Sequence, residues 1–452
     1  MNIIIIGCGK VGLTLAQQLQ QENHAITIVD VSKDRLEEAV GAMDIQAVLG
    51  NGTTYSTLKE AGLETADLLI AVTDHDEINM LSCLIARKAA RCQAIARVRD
   101  PDYYEDIDFL KGKLGLSMVI NPEWAAAQDI MRLLQIPSAL DVDIFENSRV
   151  NMLRFPILPG SPLTGKNMIE ISTMLGGRML VCIREREGQI VIPKGDTDLQ
   201  VGDTVSVVMP SGQIVSVLQR LNLQKKPIRA VTIAGGGSTS EYLAVLLLRA
   251  GMQVKIIESD RSRCELLAER LPKAQIICGD CSDKALLREE GLPTAEAFIC
   301  LTGMDEENIM LALYAGKVSQ AKVVTKISRI DFEEVVEDLH LGSVVDPKNI
   351  TAESIVRYVR AWGNASKNNV ETLYRLLDGR VEAMEFIVHP GSDITGIQIQ
   401  KLKLKKDLLI CSINRKGRII TPTGQDTIEE GDVVVIVTTG KGIRDLRDIV
   451  RS

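Results

Sequence analysis

Apolar runs and amphipathic segments alternate along two long stretches of the chain, one opening the sequence and one beginning near residue 230. Runs such as 68–72 are apolar at every position, which is typical of strands buried on both faces of a parallel sheet. Strands that alternate with helical segments predict βαβ units and an α/β fold. In the first stretch the predicted strands lie near 2–6, 25–30, 46–49, 67–72 and 94–98.

Each α/β stretch is followed by a shorter stretch, about 142–222 and 372–452, with short strands, tight turns and a closing helical segment. Gly202-Asp203 in the first recurs as Gly431-Asp432 in the second, so the shorter piece is repeated too. The pattern predicts two Rossmann-like, doubly wound parallel-sheet domains, each followed by a small α+β domain, in tandem duplication. The expected domains are 1–138, 142–224, 228–364 and 372–452, with Lys225-Lys226-Pro227 linking the two copies.

A glycine-rich motif of the dinucleotide-binding type occurs in both copies. Gly7-Cys8-Gly9-Lys10-Val11-Gly12 follows the first strand, and the next strand ends in Asp30. Gly235-Gly236-Gly237 follows the matching strand of the second copy, and the next strand there ends in Glu258. Both features recur at an offset of 228 residues (7 to 235, 30 to 258). One such motif is weak evidence, whereas two in register indicate a duplicated nucleotide-binding unit.

The composition narrows the class of protein. The formal net charge of −8 argues against nucleic-acid binding, because phosphates are bound by clustered Lys and Arg, and against adhesion to anionic lipid. No apolar stretch approaches the roughly 20 residues that span a bilayer, and no signal-peptide pattern opens the sequence. The 9 cysteines are scattered, and Cys300 and Cys411 lie in apolar strands, which favours reduced thiols. We expect a soluble cytoplasmic protein without direct membrane insertion.

The first glycine motif has the features that a dinucleotide requires. Gly7 allows a tight strand-to-helix turn, Gly9 lets the backbone approach a pyrophosphate, and Gly12 lets the helix pack on the sheet. The phosphates then meet backbone N–H groups at a helix N-terminus. Asp30 is spaced to accept the ribose hydroxyls of NAD, and its charge disfavours the 2′-phosphate of NADP. The alternative is a glycine turn in an α/β domain that binds no ligand.

The second copy departs from this pattern at two positions. Ser240 stands where the third glycine belongs, and Glu258 replaces the aspartate. The third glycine serves packing rather than phosphate contact, so a small serine is tolerable there. Glu258 retains the ribose contact, but its extra methylene changes which nucleotide fits. We expect this site also to bind a nucleotide.

Further polar residues follow the other predicted strands, where they face the same crevice. Arg35 and Arg263 each come five residues after the carboxylate, and either contact the nucleotide or are solvated helix residues. Arg97 closes the fifth strand, where it neutralises a phosphate or is an ordinary surface charge. The remaining candidates at strand ends are Asn51, Thr73 and Thr302.

Two other motifs suggest sites of a different kind. Cys278-Gly279-Asp280-Cys281 has zinc or redox spacing but no second pair, and Asp74-His75-Asp76-Glu77 is acidic at a helix start, where the dipole favours carboxylates. We expect no metal at either. A hydride-transfer enzyme needs a placed acid or base, and none of the 4 histidines recurs at matching positions in the small domains. The chain is therefore predicted to be no enzyme and to use its nucleotide as a signal.

These motifs together resemble the TrkA family, the cytosolic regulatory subunits of Trk-type bacterial potassium uptake systems, which carry tandem RCK (KTN) domains. The resemblance rests on both glycine turns, on 71–79 and 95–103, and on the order of nucleotide-binding and small domains. It covers essentially the whole chain. The tandem order is far more specific than any single motif.

The resemblance implies NAD or NADH on the glycine turns, with ATP or ADP as competitors. It also implies a homo-oligomeric ring beneath an integral membrane potassium-translocating subunit of the TrkH or TrkG type. A gating subunit of another cation channel or antiporter is one alternative, and a soluble NAD-dependent oxidoreductase is another. Relatives often carry an acidic residue where this chain has Asn51. The resemblance places the first nucleotide on Gly7, Cys8, Gly9, Lys10, Val11, Gly12, Asp30, Asn51, Thr73, Asp74 and Arg97, and the second on Gly235, Gly236, Gly237, Glu258 and Thr302.

Overall fold

The computed structural model describes residues 1–145, 149–328, 339, 341–364, 370–377, 379–392, 394–440, 443 and 445–450. The chain forms two compact units, each built from one part of either copy. The parallel-sheet unit comprises Met1–Leu134 and Ile228–Val356, and the antiparallel-sheet unit comprises Gln135–Pro227 and Arg357–Ser452.

The chain opens with a six-stranded parallel sheet in the order β3-β2-β1-β4-β5-β6. Leu68–Ala71, one of its two central strands, is apolar at every position and fully buried, as the continuous apolar run predicts. The strands are β1 (Asn2–Ile6), β2 (Ala25–Asp30), β3 (Gln46–Leu49), β4 (Leu68–Ala71), β5 (Gln93–Arg97) and β6 (Met118–Ile120). The helices are α1 (Lys10–Gln21), α2 (Lys33–Ala42), α3 (Tyr55–Glu60), α4 (Asp76–Ala89), α5 (Pro101–Glu105), α6 (Ile107–Leu114) and α7 (Pro122–Gln135).

A five-stranded antiparallel sheet in the order β10-β9-β11-β8-β7 follows. Its strands are β7 (Asp141–Phe145), β8 (Val150–Pro156), β9 (Leu180–Arg186), β10 (Gln189–Val191) and β11 (Thr204–Pro210). Two helices accompany it, α8 (Met168–Leu175) and the predicted closing helix α9 (Ile214–Arg220). Asn167 begins α8 with a capping box, since its side chain accepts from Glu170 N while the Glu170 carboxylate accepts from Asn167 N.

The second copy repeats the parallel sheet in the order β14-β13-β12-β15-β16-β17. The strands are β12 (Ala230–Ala234), β13 (Gln253–Glu258), β14 (Gln275–Cys278), β15 (Ala297–Cys300), β16 (Lys322–Lys326) and β17 (Ser343–Val345). The helices are α10 (Ser238–Arg249), α11 (Arg261–Arg270), α12 (Lys284–Glu289), α13 (Asp305–Val318) and α14 (Pro347–Asn364). The predicted fold class is therefore confirmed in both copies, including the reversal of strand order between the first and fourth strands that opens a crevice in doubly wound folds.

The last sheet has the order β18-β19-β22-β20-β21, which matches the first antiparallel sheet strand for strand. Its strands are β18 (Val370–Leu376), β19 (Val381–Ile387), β20 (Leu408–Arg415), β21 (Arg418–Ile420) and β22 (Val433–Thr438). The closing helix predicted here is wrong for the described residues, because a short 3₁₀ turn, Leu446–Ile449, stands in its place. Buried Ile443, Leu446 and Ile449 are spaced by three residues, which is the period of a 3₁₀ helix.

Residues at matching positions of the two antiparallel sheets contact each other. The ring of Phe145 lies 4.5 Å from that of Tyr374, edge to face, and the Tyr374 hydroxyl donates to the Ile144 carbonyl at 3.1 Å. Cys182 and Cys411 share one buried core. Because like residues meet like residues at an offset of 229 (145 to 374, 182 to 411), the two small domains are related by an approximate two-fold axis through this core.

Within the described residues, no helix combines the length and the apolar character needed to span a bilayer.

Candidate functional site

The first glycine turn joins β1 to α1 under strict steric limits. Gly7 has a φ of +105°, a conformation that glycine adopts readily, and its N–H donates to Val29 O on the next strand. A Cβ on Gly12 would overlap the Gly7 carbonyl oxygen. A Cβ on Gly9 would meet nothing within 4 Å, so the space above it is open. The turn thus closes on itself through Gly7 and Gly12 and leaves Gly9 facing the crevice.

Asp30 is fixed by the turn it accompanies. One carboxylate oxygen accepts from Cys8 N at 2.6 Å, and the other accepts from Ser32 N at 2.8 Å. Two backbone donors orient the group and leave further lone pairs on both oxygens for ribose hydroxyls. Burial, and secondly the charge of Asp30, raise the pKa of the Cys8 thiol to about 11, so this thiol stays neutral beside the carboxylate.

The second turn reproduces this arrangement with a different pair of residues. Glu258 accepts from Gly236 N at 2.6 Å and from Asp260 N at 2.8 Å, the same two contacts that Asp30 makes. The longer side chain fits because Gly236 replaces Cys8. A Cβ on Gly236 would come to 3.0 Å from Glu258 Cγ and 2.7 Å from Leu267 Cδ1. Glycine and glutamate in one copy therefore match cysteine and aspartate in the other.

Ser240 is accommodated by a hydrogen bond. Its hydroxyl is buried and donates to Gly235 O at 2.6 Å, the carbonyl that corresponds to Gly7 O in the first copy. The serine hydroxyl thus donates to the carbonyl oxygen whose counterpart in the first copy, Gly7 O, a Cβ at Gly12 would overlap. The second turn is preserved by a polar contact where the first is preserved by the absence of a side chain.

The loop after β4 holds three predicted residues together. Thr73 donates from its backbone N and its hydroxyl to Asn79 Oδ1, at 2.8 and 2.7 Å. Arg97, only 7% exposed at the end of β5, donates to Thr73 O at 2.8 Å and to the Asp74 carboxylate at 3.0 Å. Asp74 itself is exposed. A buried guanidinium paired with a solvated carboxylate at a strand end suits an anion-binding position.

The matching loop of the second copy keeps the amide but not the ion pair. Thr302 N donates to Asn308 Oδ1 at 2.8 Å, and Asn308 Nδ2 donates to Lys326 O at 3.0 Å. Gly303 and Lys326 stand where the first copy has Asp74 and Arg97. The two crevices therefore share a backbone frame and differ in charge.

Four charged side chains meet at the carboxyl ends of β4, β5 and β6. Burial and the nearby Arg99 lower the pKa of Arg97, and burial raises the pKa of Glu123. In the described part of the chain, one buried atom of each group lacks a hydrogen-bond partner. These atoms are Asp76 Oδ1, Arg97 Nε, Arg99 Nε and Glu123 Oε2. Asp76 Oδ1 and Arg99 Nε lie 3.9 Å apart as a loose ion pair, so the four groups form one charged cluster at these strand ends.

The other predicted contacts lie as follows. Asn51 is exposed, and its side chain accepts from Thr53 N at 2.9 Å, which shapes the turn after β3. Lys10 is exposed at the start of α1, and Arg35 is exposed on α2. Arg263 differs from Arg35, because its Nε donates to Gly236 O at 2.7 Å. The second arginine therefore lies across its glycine turn.

The CxxC motif does not bring its two thiols to one environment. Cys278 is exposed, whereas Cys281 is buried and donates to Glu307 at 3.6 Å. Asp280, Cys281 and Glu307 hold ligand-type atoms within 4.8 Å of one another. Burial, then Glu307, raise the pKa of Cys281 to about 12, so the free thiol is protonated at neutral pH.

Sequence reasoning assigned no role in the nucleotide site to the buried residues Asp76 and Asn79 or to Glu123. Asp76 binds the backbone N of Arg99 and Asp100, and Asn79 holds the Thr73 loop. Their spacing from Thr73 recurs in the second copy as Thr302, Asp305 and Asn308, so the repeat contains a signal that would have found them. Glu123 gave no such signal, since its burial depends on the pairing of β6 with β5.

Comparison with known protein families matches four segments of the chain, two of each kind in alternating order. Models of the TrkA-N domain match residues 3–122 and 231–347, and models of the TrkA-C domain match 152–222 and 383–451. The Trk system potassium uptake protein TrkA of Vibrio alginolyticus is 34% identical and covers 98% of this chain and 96% of its own length. A TrkA homolog of Archaeoglobus fulgidus is 31% identical over the full length of both chains.

Solved structures show the same architecture. The GsuK RCK domain superposes with a TM-score of 0.62 at 19% identity, covering 97% of this chain and 92% of the other. A GsuK channel bound to NAD gives a TM-score of 0.61 at 20% identity, covering 97% and 77%. At these identities the likeness shows a shared fold. Full-length relatives above 30% identity, together with both domain matches in tandem, establish that the chain belongs to the TrkA family.

Proposed function

We propose that this chain is a nucleotide-sensing regulatory subunit of a potassium uptake system, with NAD or NADH on the first site. The observation that carries the proposal is the prepared site itself. A carboxylate is held by two backbone donors beside an open glycine turn, and the buried Arg97 ends another strand of the same sheet. Relatives named as Trk system potassium uptake proteins support the potassium role.

The residues of the first site fit a dinucleotide. The α1 N-terminus and the turn at Gly9 would take the pyrophosphate, and Asp30 would accept ribose hydroxyls. Arg97 would neutralise phosphate charge, with Thr73 and Asp74 beside it. The bound nucleotide supplies no bond-making step in this proposal. These residues bind and orient it, and ATP or ADP would compete for the same groups.

The second site would hold its nucleotide on Gly235 to Gly237 and Glu258, near Thr302. Because Lys326 and Gly303 replace the Arg97–Asp74 pair, we expect a different order of affinities there.

We further propose that copies of the chain form a ring on the cytoplasmic face of the membrane, beneath a potassium-translocating subunit of the TrkH or TrkG type. A nucleotide that binds one ring conformation more tightly shifts the population toward it. The shift cannot exceed the differential affinity for the two states.

Calorimetric titration of the full chain with NADH, NAD, ATP and ADP tests nucleotide binding. We expect saturable binding with no consumption of NADH, and loss of one site in Asp30→Ala, because ribose loses its acceptor. Asp34→Ala, an exposed carboxylate on the same segment, is the matched control and should bind as wild type. Absence of binding for all four nucleotides would refute the proposal, and steady oxidation of NADH would favour the oxidoreductase alternative.

A further inference from the structure

The helix that carries the second glycine turn is connected to the rim of the first site. Tyr242 lies on α10 and is 7% exposed. Its hydroxyl donates to Arg99 O at 3.1 Å and accepts from Asn121 Nδ2 at 2.9 Å. Its ring packs edge-on against Trp124 at 5.5 Å. One buried side chain of the second nucleotide domain is thus bonded to the ends of two strands of the first.

Glu241, the neighbouring residue, makes a second connection. Its buried carboxylate pairs with Arg263 at 2.7 Å and with Arg270 at 3.1 Å. Arg270 also reaches Asp102 of the first domain at 3.2 Å. Arg263 in turn donates to Gly236 O in the second glycine turn. One hydrogen bond and three ion pairs therefore connect that turn to the first domain.

The segment reached by these two residues is held by the first nucleotide site. Asp76 accepts from Arg99 N at 2.7 Å and from Asp100 N at 2.8 Å. The Arg99 guanidinium donates to Asp74 O, and the Asp74 carboxylate pairs with Arg97. A phosphate that engages Arg97 competes with Asp74, and so acts on the loop to which Arg99 is bound.

The fold of a nucleotide-binding domain does not require the contacts that Glu241 and Tyr242 make. Leu13 and Thr14 occupy the matching positions on α1 (13 to 241, 14 to 242). Leu13 carries no charge, and the Thr14 hydroxyl donates to Lys10 O inside its own helix. A nucleotide-binding domain of this type therefore folds without these two polar contacts. Their presence in the second copy requires an explanation other than the stability of the domain.

We propose that occupancy of the first site changes the affinity of the second, and that Tyr242 and Glu241 are the positioning residues that transmit the change. This inference rests on the proposed function, since it requires that both sites bind nucleotide. Coupling of this kind is reciprocal, and it commonly changes affinity by about 5- to 150-fold. The Arg99–Asp102 segment is bonded to Asp76 on one side and to Tyr242 and Arg270 on the other, so it is the element through which the change would pass.

Titration of the full chain with NADH and with ADP measures the coupling. Asp30→Ala leaves the second site alone, Glu258→Ala leaves the first alone, and the wild type has both. We expect the second-site affinity to differ at least about fivefold between wild type with its first site filled and Asp30→Ala. Tyr242→Phe keeps the ring on Trp124 and removes the hydroxyl, and should reduce that difference below twofold. Tyr314→Phe, a tyrosine of the same domain that bonds Arg288, is the matched control.

The outcomes separate this inference from the function on which it rests. No binding by either single-site variant would refute the proposed function. Binding at both sites with independent affinities, or coupling unchanged in Tyr242→Phe, would refute the inference alone. The double variant Asp30→Ala/Tyr242→Phe should bind within about twofold of Asp30→Ala, because the hydroxyl does not touch the nucleotide. Asp102→Asn alters an exposed carboxylate and gives a second test, in which unchanged coupling likewise counts against the proposal.

Discussion

At the scale of single residues, the two glycine turns reach one geometry with different side chains. Asp30 faces Cys8 in the first copy, and Glu258 faces Gly236 in the second, yet both carboxylates bind the same two backbone donors. The extra methylene of glutamate occupies the volume that the Cys8 side chain fills. The two residues of each pair are therefore matched in their combined volume, and neither can be exchanged between the copies without the other.

We expect Gly236→Ala to destabilise the chain by about 1–3 kcal/mol, because the new Cβ crowds Glu258 and Leu267. Adding Glu258→Asp relieves the crowding, so the double variant should recover about 1 kcal/mol relative to the sum of the single effects. Urea unfolding of the four proteins measures this cycle. Gly316→Ala, in open space on α13, is the control and should stabilise by about 0.4–1 kcal/mol. Strict additivity of the two changes would contradict the size argument.

At the scale of elements, an ion pair to a buried aspartate fixes the turn before the last strand in each small domain. Asp203 is 1% exposed and accepts from Arg186 at 2.6 and 2.8 Å and from Gln200 N at 2.8 Å. Asp432 makes the same contacts with Arg415 and Glu429 N. A planar guanidinium bound by both carboxylate oxygens joins two strands and a turn.

Asp203→Asn should cost about 2–3 kcal/mol, since it leaves Arg186 without its charge partner while part of that side chain stays solvated. Burial alone would raise the pKa of Asp203, but the bonds from Arg186 and Gln200 N lower it overall. The ionised form therefore stabilises at neutral pH, and this contribution is lost as the pH falls below about 4. Thermal unfolding between pH 3 and 7 should show a shallower acid decline in the variant. Asp196→Asn, an exposed neighbour, should leave the curve unchanged.

The elements also show which features of the fold and the site could be predicted from the sequence and which could not. The glycine turns, Asp30 and the alternation of strands and helices depend on neighbours along the chain, so local pattern predicted them. Tyr242 and Glu123 acquire their roles from contacts with distant segments. Their own surroundings in the sequence are ordinary for helix residues. The closing 3₁₀ turn differs from the predicted helix because its apolar residues are spaced by three rather than by the helical period.

At the scale of the whole molecule, folding protects nearly all of the thiols. Eight of the 9 cysteines are buried, and Cys278 is exposed. Burial is the main cause that raises the pKa of Cys8 to about 11 and of Cys92 to about 12; the charge of Asp30 adds to it at Cys8, and Arg87 partly offsets it at Cys92. Protonated, inaccessible thiols are poor nucleophiles.

We expect one thiol per chain to react rapidly with a disulfide reagent such as DTNB at pH 8, and Cys278→Ser to abolish that phase. The other eight should react only as opening exposes them. Because the pKa values of Cys8 and Cys92 are raised in the fold, their contribution to stability is present below about pH 9 and is lost as the pH rises toward 11. A second rapid thiol at pH 8 in Cys278→Ser would contradict this pattern of burial.

The two-fold axis through the small domains has a consequence for how the chain can change. In a dimer of identical subunits, a residue facing its own copy across an axis is altered on both sides by one mutation. Here Phe145 faces Tyr374, and only the tyrosine has a hydroxyl, which donates to Ile144 O. Because the two copies lie in one chain, a mutation changes one side of the axis at a time, and the asymmetric bond from Tyr374 uses that freedom.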